Sequence, residues 1–231
     1  IRHRARAECG RVTAQARMRT GPHLVDTTLF FSPTSGGVRR YLLAKHAWLR
    51  AHAELRHTLL VPGPRDAGAP GGIVEFPSPR IPWGGGYRFP WRLREFGARL
   101  RGLAPDVIEA ADPYQVGWAA ARVAERLGVP AVAFCHSDLV ALLRGRVGSG
   151  GARAAARYLR ALYARYDLVL APSQVVVGHL RDAGVTHAVV QPLGVDVDTF
   201  SPARADPALR ASLELPRDAR LLVFAGRLAP E

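Results

Sequence analysis

Short apolar runs alternate with helical patterns along most of this chain, and that alternation restricts its folds more than any other feature. The runs read HLVDTTLFF (23–31), RHTLLVPG (56–63), GIVEFPSP (72–79), PDVIEAAD (105–112), VPAVAFCHSD (129–138), DLVLAPS (167–173) and THAVVQPLG (186–194). They read as continuous apolar stretches rather than strict apolar–polar alternation, as suits strands covered on both faces. Between them lie helical stretches at 37–52, at 114–128 closed by Gly128, at 151–166, and at 174–184 with Ser173 placed to cap it. This order predicts an α/β domain, a Rossmann-like doubly wound parallel sheet, over residues 22–194. The Pro- and Gly-rich stretch 62–92 predicts long loops around one strand. An apolar content of 48% is ample for a packed core, and no run of about 18 apolar residues suggests a membrane span.

The two ends read differently. Residues 1–21 form a basic leader with no apolar block, so no signal peptide is expected. The chain opens on Ile1 and its only methionine is Met18, which leaves two readings of the leader: upstream read-through with Met18 as the start, or a basic tail. A turn-rich connector at 195–205 leads to Asp206 and Pro207, the cap and first residue of an expected helix, and RLLVFAG (220–226) reads as a fresh strand. One helix and one strand bury no core of their own, so 206–231 is expected to be the cut-off beginning of a second domain.

The formal net charge of +13 rests almost wholly on arginine, Lys45 being the only lysine. With so much Ala, Gly and Pro, that bias points to GC-rich codon usage rather than a nucleic-acid surface. An anionic membrane or phosphate group remains as partner, and nucleic acid is not expected. The stretch YRFPWRLREFGARLRGL (87–103) carries an apolar stripe of Leu93, Phe96, Leu100 and Leu103 flanked by arginines. It reads either as an interfacial helix on an anionic membrane or as a core-facing surface helix. Cys9 and Cys135 show no metal or disulfide spacing.

The stretch SGGVRRY places Gly36 and Gly37 between the first strand and its helix. A helix N-terminus exposes unpaired N–H groups, and glycine lets an anion approach them. The pair therefore reads either as a phosphate-facing loop or as a turn needing positive φ. It is not a G-x-G-x-x-G fingerprint, and no P-loop lysine follows, which counts against a Rossmann-type nucleotide-binding oxidoreductase. His136, closing the strand ending FCHSD, reads as a site residue or as a loop cap, and Asp138 as a site residue or a helix N-cap. A non-enzymatic anion-binding module is the other class that the basic charge keeps open.

The succession SGGVRRY, FCHSD, LAPS, PLGVDVDTFSP and FAGRLAPE resembles the retaining, nucleotide-sugar-dependent glycosyltransferases of the GT-B fold (glycosyl transferase group 1, family 4) over residues 22–231. The resemblance implies transfer of a sugar from a nucleoside-diphosphate donor, GDP-mannose or a UDP-sugar, to an acceptor hydroxyl with retention. It gives Gly36 and Gly37 the donor diphosphate, His136 the transferred sugar with Asp138 nearby, and Arg227 the diphosphate. It marks 194–202 as the crossing between two domains. It places a second basic residue and paired glutamates beyond residue 231, so the chain alone is expected not to turn over. No cofactor or metal is expected. The implied partners are the donor and a glycan or lipid-linked acceptor of cell-envelope biosynthesis. The implied location is cytoplasmic, with peripheral membrane contact at the inner face as one reading.

Overall fold

The computed structural model describes residues 21–33, 35–52, 54–68, 71–82, 85–206, 208–216 and 218–224. The leader with Cys9 and Met18, Pro207, and Arg227 with the end of the expected strand 220–226 lie outside the described residues. The chain divides into two compact units after Pro192.

The first unit runs β1 (His23–Thr27), α1 (Gly37–His52), β2 (Arg56–Gly63), β3 (Ala67–Gly68), β4 (Ile73–Pro77), α2 (Leu93–Gly102), β5 (Val107–Ala110), α3 (Gln115–Leu127), β6 (Ala131–Phe134), α4 (Leu139–Tyr163), β7 (Leu168–Ala171), α5 (Gln174–Asp182) and β8 (Ala188–Val190). All strands join one sheet in the order β3-β4-β2-β1-β5-β6-β7-β8. Every pairing is parallel except β3 on β4. The chain first builds outward from β1 to β2 and β4, then crosses back to β5 beside β1 and builds the other way. This is the doubly wound order expected from the alternation.

Continuous apolar strands follow from burial on both faces. Along β2, Leu60 joins the larger core cluster with Val25, Phe76 and Ile108, while Leu59 and Val61 join a second cluster with Leu42 of α1. The caps also hold: Gly128 ends α3 in the left-handed conformation at φ 66°, and the Ser173 hydroxyl accepts from the Val176 N–H at the start of α5.

Three expectations are corrected. The edge strand β3 lies in a stretch expected to be loop; its two residues are too few to give a periodic signal. Helix α4 begins at Leu139 rather than 151, and the glycine-rich GRVGSGG interrupts it with non-helical angles at Val147 and Gly148. The glycines hid the first half of that helix because they lower its propensity. In the second unit, residues 220–224 form no strand. A strand needs a ladder partner, and the described residues of that unit contain none, only a 3₁₀ turn (Pro202–Arg204) and a short α6 (Leu209–Ser212). Asp206 does cap locally, its carboxylate accepting from the Ala208 N–H at 2.8 Å, but α6 starts later than Pro207.

Of the two readings of the arginine-flanked stripe, the structure realises the core-facing one. Phe96 and Leu100 of α2 are fully buried, and Phe96 meets Phe76 of β4 edge-on at 5.3 Å. The stripe covers the sheet, so it is not free to lie in a membrane interface. Among the described residues no helix is long and apolar enough to cross a membrane. Phe96→Ala should therefore destabilise the protein by about 3–5 kcal/mol, the usual loss for a buried aromatic. Denaturant unfolding checks this, and a loss under ~1 kcal/mol would return the stripe to the surface.

Candidate functional site

The strand order reverses between β1 and β5, and in open α/β sheets the crevice outside the strand ends at such a point is where ligands bind. Asp112, 3% exposed, ties together the two loops that diverge there. One carboxylate oxygen accepts from the Leu29 N–H after β1 at 2.6 Å, and the other from the Tyr114 N–H at the start of α3 at 2.9 Å. Burial pushes its carboxyl up to about 6 despite these bonds.

The loop after β1 carries the glycine pair. Ser35 braces it, its hydroxyl donating to the Phe30 carbonyl and its N–H to the Ser32 carbonyl, while the Tyr87 hydroxyl reaches Ser35 at 3.3 Å. Gly36 and Gly37 are exposed, and α1 begins at Gly37 with no acidic residue in its first turn. Neither glycine has positive φ, and a Cβ built on either would meet no atom within 4 Å. The turn-forming reading of the pair therefore fails: nothing in the described fold requires glycine at either place. What the pair provides is bare backbone at the positive end of a 16-residue helix.

His136 follows β6. Its ring stacks on Phe134, with centroids 4.0 Å apart, and meets the Tyr41 ring at 5.2 Å. Tyr41 lies one helical turn beyond Gly37, so α1 brings the glycine loop and His136 to the same neighbourhood. Burial, and then the nearby Lys45 charge, pull His136 down to about 4, so the ring is neutral at neutral pH. Its Nε2 is buried without a hydrogen-bond partner among the described residues. Asp138, by contrast, is occupied. It caps α4 by accepting from the Ala141 N–H at 2.9 Å, and its other oxygen contacts Nδ1 of His179 on α5. Its N-cap reading is the one the geometry realises. Arg227 lies outside the described residues.

Beneath these groups is a charge cluster that sequence reasoning missed. Asp26 of β1 and Glu109 of β5 are register partners on adjacent strands, and both are buried. Lys45 of α1 lies between them, its ammonium 2.9 Å from Asp26 and 2.7 Å from Glu109. Burial opposes the Asp26 charge, but Lys45 and His57 outweigh it and hold that carboxyl below its ordinary range. Burial, and then the Asp26 charge, push Glu109 up to about 7 against Lys45. A signal existed in the composition: the single lysine in a chain that otherwise uses only arginine.

A cavity of about 650 Å³ opens beside Asp138 between α4 and α5, with Arg144, Arg153, His179 and Asp182 in its wall. Among the described residues no group of three or more His, Cys, Asp or Glu side chains could hold a metal ion.

The family model "Glycosyltransferase Family 4" matches residues 35–199. The chain is 30% identical over 209 residues to a GDP-mannose-dependent alpha-mannosyltransferase of Corynebacterium glutamicum, covering 87% of this chain and 50% of that protein. It is 36% identical over 132 residues to a protein of the same description in Mycobacterium tuberculosis, covering 57% and 35%. To the GDP-mannose-dependent alpha-(1-6)-phosphatidylinositol dimannoside mannosyltransferase of that species it is 30% identical over 217 residues, covering 90% and 55%. The chain thus spans about half the length, or less, of the curated relatives it matches. Among solved structures, sucrose-phosphate synthase of Thermosynechococcus elongatus superposes with TM-score 0.61 at 16% identity, covering 85% of this chain and 53% of that one. Anabaena Alr3699/HepE in complex with UDP gives 0.53 at 18%, covering 84% and 50%.

The state of His136 is directly measurable. Its ring resonances should stay at their neutral positions from pH 8 down to about 5 and move near 4. An unfolded histidine takes up its proton near 6.5, so between those values the native ring binds fewer protons. Its contribution to stability is therefore lost as pH falls through that window. Titration of the His136 ring near 6.5 would contradict its burial.

Proposed function

Because the chain belongs to glycosyltransferase family 4, we propose that the protein transfers a sugar from a nucleoside-diphosphate donor, GDP-mannose or a UDP-sugar, to an acceptor hydroxyl with retention at the anomeric carbon. The observation that carries this reading is the glycine pair: exposed, in ordinary backbone conformation, and bare where no protein atom needs the room. An anion at the start of α1 is the occupant whose approach a Cβ would hinder.

In this reading the bond from the anomeric carbon to the diphosphate breaks with its electron pair leaving on the diphosphate, the acceptor oxygen bonds that carbon, and the acceptor proton passes to the departing diphosphate. Negative charge grows on the leaving diphosphate. The first N–H groups of α1, with Arg227 added by the family resemblance, stabilise it as preorganised donors do. His136, neutral and with a spare ring nitrogen, hydrogen-bonds a hydroxyl of the transferred sugar. Asp138 orients the following helix rather than touching sugar. The cavity beside it, walled by Arg144 and Arg153, suits an acidic or phosphate-bearing acceptor such as a glycan on a lipid carrier. The phosphatidylinositol-linked acceptor named for one relative favours the same class, as part of cell-envelope synthesis. Any peripheral membrane contact then falls to exposed Trp91, 73% accessible, and its neighbouring arginines, not to the buried stripe of α2.

The test is transfer by the whole protein from a panel of nucleotide sugars, with the anomeric configuration of the product read by nuclear magnetic resonance. Failure with every donor, or a product of inverted configuration, would refute the proposal. Gly37→Ala separates the ligand role from the structural one. At a helix start with ordinary φ it should leave stability unchanged or raise it by about 0.4–1 kcal/mol. Turnover should meanwhile fall about 100-fold, the order of losing one donor to a developing anion. A variant that is both stable and fully active would remove the pair from the site.

A further inference from the structure

We infer that Lys45 is a positioning residue of this site, fixing helix α1 so that the glycine loop and His136 keep their relative placement; the inference rests on the glycosyltransferase reading. The ammonium of Lys45 lies 2.9 Å from Asp26 and 2.7 Å from Glu109, side chains that face each other across the central β1–β5 pair. The connection goes further. Asp26 lies 3.1 Å from Nε2 of His57 on β2, and Nδ1 of His57 lies 2.8 Å from Nδ1 of His46, the residue after Lys45. His46 in turn donates through Nε2 to the Gly71 carbonyl at 2.6 Å. Two consecutive residues of α1 are thereby tied to β1, β5, β2 and the turn before β4.

The same helix carries both donor-facing features. One turn before Lys45, Tyr41 meets His136 at 5.2 Å and Phe134 at 5.1 Å. One turn before Tyr41, Gly37 opens the helix. A shift or rotation of α1 therefore moves the bare N–H groups and the wall of the His136 ring together. A buried ion pair is weak evidence of stabilisation, since apolar replacements of the whole group are often as stable or more so. What it does impose is one arrangement, because each carboxylate must keep its cation. Lysine also fits better than arginine: its ammonium is a compact charge with three donors for carboxylates on different strands, whereas the planar guanidinium fork is matched to one. The single departure from the chain's arginine usage thus falls at the place where arginine is the poorer fit.

The test uses the whole protein and removes the charges together, since Lys45→Met alone leaves two buried carboxylates unmatched. The triple variant Lys45→Met, Asp26→Asn, Glu109→Gln should unfold cooperatively, with its His136 and Tyr41 ring resonances shifted and broadened. Its turnover with GDP-mannose should fall about 10- to 100-fold, as expected when reacting groups are misplaced by about 1 Å. Lys45→Arg, which keeps the charge, should move those resonances less and lose less turnover. A cooperatively folded triple variant with unmoved resonances and unchanged kcat and KM would overturn the inference, as would a loss of turnover fully accounted for by the unfolded fraction. If the parent protein transfers no sugar at all, the proposed function fails, while the ring resonances still decide the role of Lys45.

Discussion

Two carboxylates sit side by side inside this protein, on the two central strands where the winding of the sheet reverses, and the surrounding structure depends on the cation between them. Asp26 and Glu109 face one another across a parallel ladder in a region closed to water. Left alone, two like charges at that separation would force one to take up a proton. Lys45 offsets that conflict in part, Glu109 still being pushed up to about 7, and its ammonium reaches both carboxylates only if α1 lies at one height and one angle over β1 and β5. The helix that satisfies the buried charge is also the helix whose first turn opens at the glycine pair, so an electrostatic requirement of the core fixes the geometry of the surface above it.

Burial first, and the same charge second, explain the state of His136. Its ring is stacked on Phe134 and walled by Tyr41, which removes water from one side. The neighbouring ammonium then adds a second reason to stay neutral. A neutral imidazole keeps one nitrogen able to accept and one able to donate, the character needed to hold a sugar hydroxyl rather than to bind phosphate. In the proposed site, anion binding falls instead to backbone N–H groups, which do not titrate near neutral pH. The proposed site thus pairs a pH-insensitive row of donors with a ring held in one protonation state.

Asp112 and Asp138 show how the fold spends acidic side chains around such a crevice. Asp112 bridges the two diverging loops by accepting from backbone on both sides, and Asp138 caps α4 while contacting His179 of α5. Asp138 stands where the sequence pattern invites a catalytic reading, yet one of its oxygens accepts from a peptide N–H and the other contacts an imidazole, while both oxygens of Asp112 accept from peptide N–H groups. Polar residues that follow a strand are drawn to the free N–H groups of the next helix, and that local demand competes with chemistry.

The sequence alone determined the α/β class, the doubly wound order, the caps at Gly128 and Ser173, and the places of Gly36, Gly37 and His136. These rest on local physics: unbroken apolar runs must be covered on both faces, and caps and glycines act within a few residues. The edge strand β3, the first half of α4 and the irregular stretch 220–224 were not legible, because two residues carry no period, glycines mask a helix, and strands exist only with partners. The stripe of α2 was legible as amphipathic but not as to which surface it meets. Only tertiary structure decided that it covers the sheet. Only tertiary structure, too, joined Asp26, Lys45, Glu109, His46 and His57. Their contacts cross between strands and helix far apart in the chain, and the energy of burying a charge depends on what folding brings within about 3 Å of it.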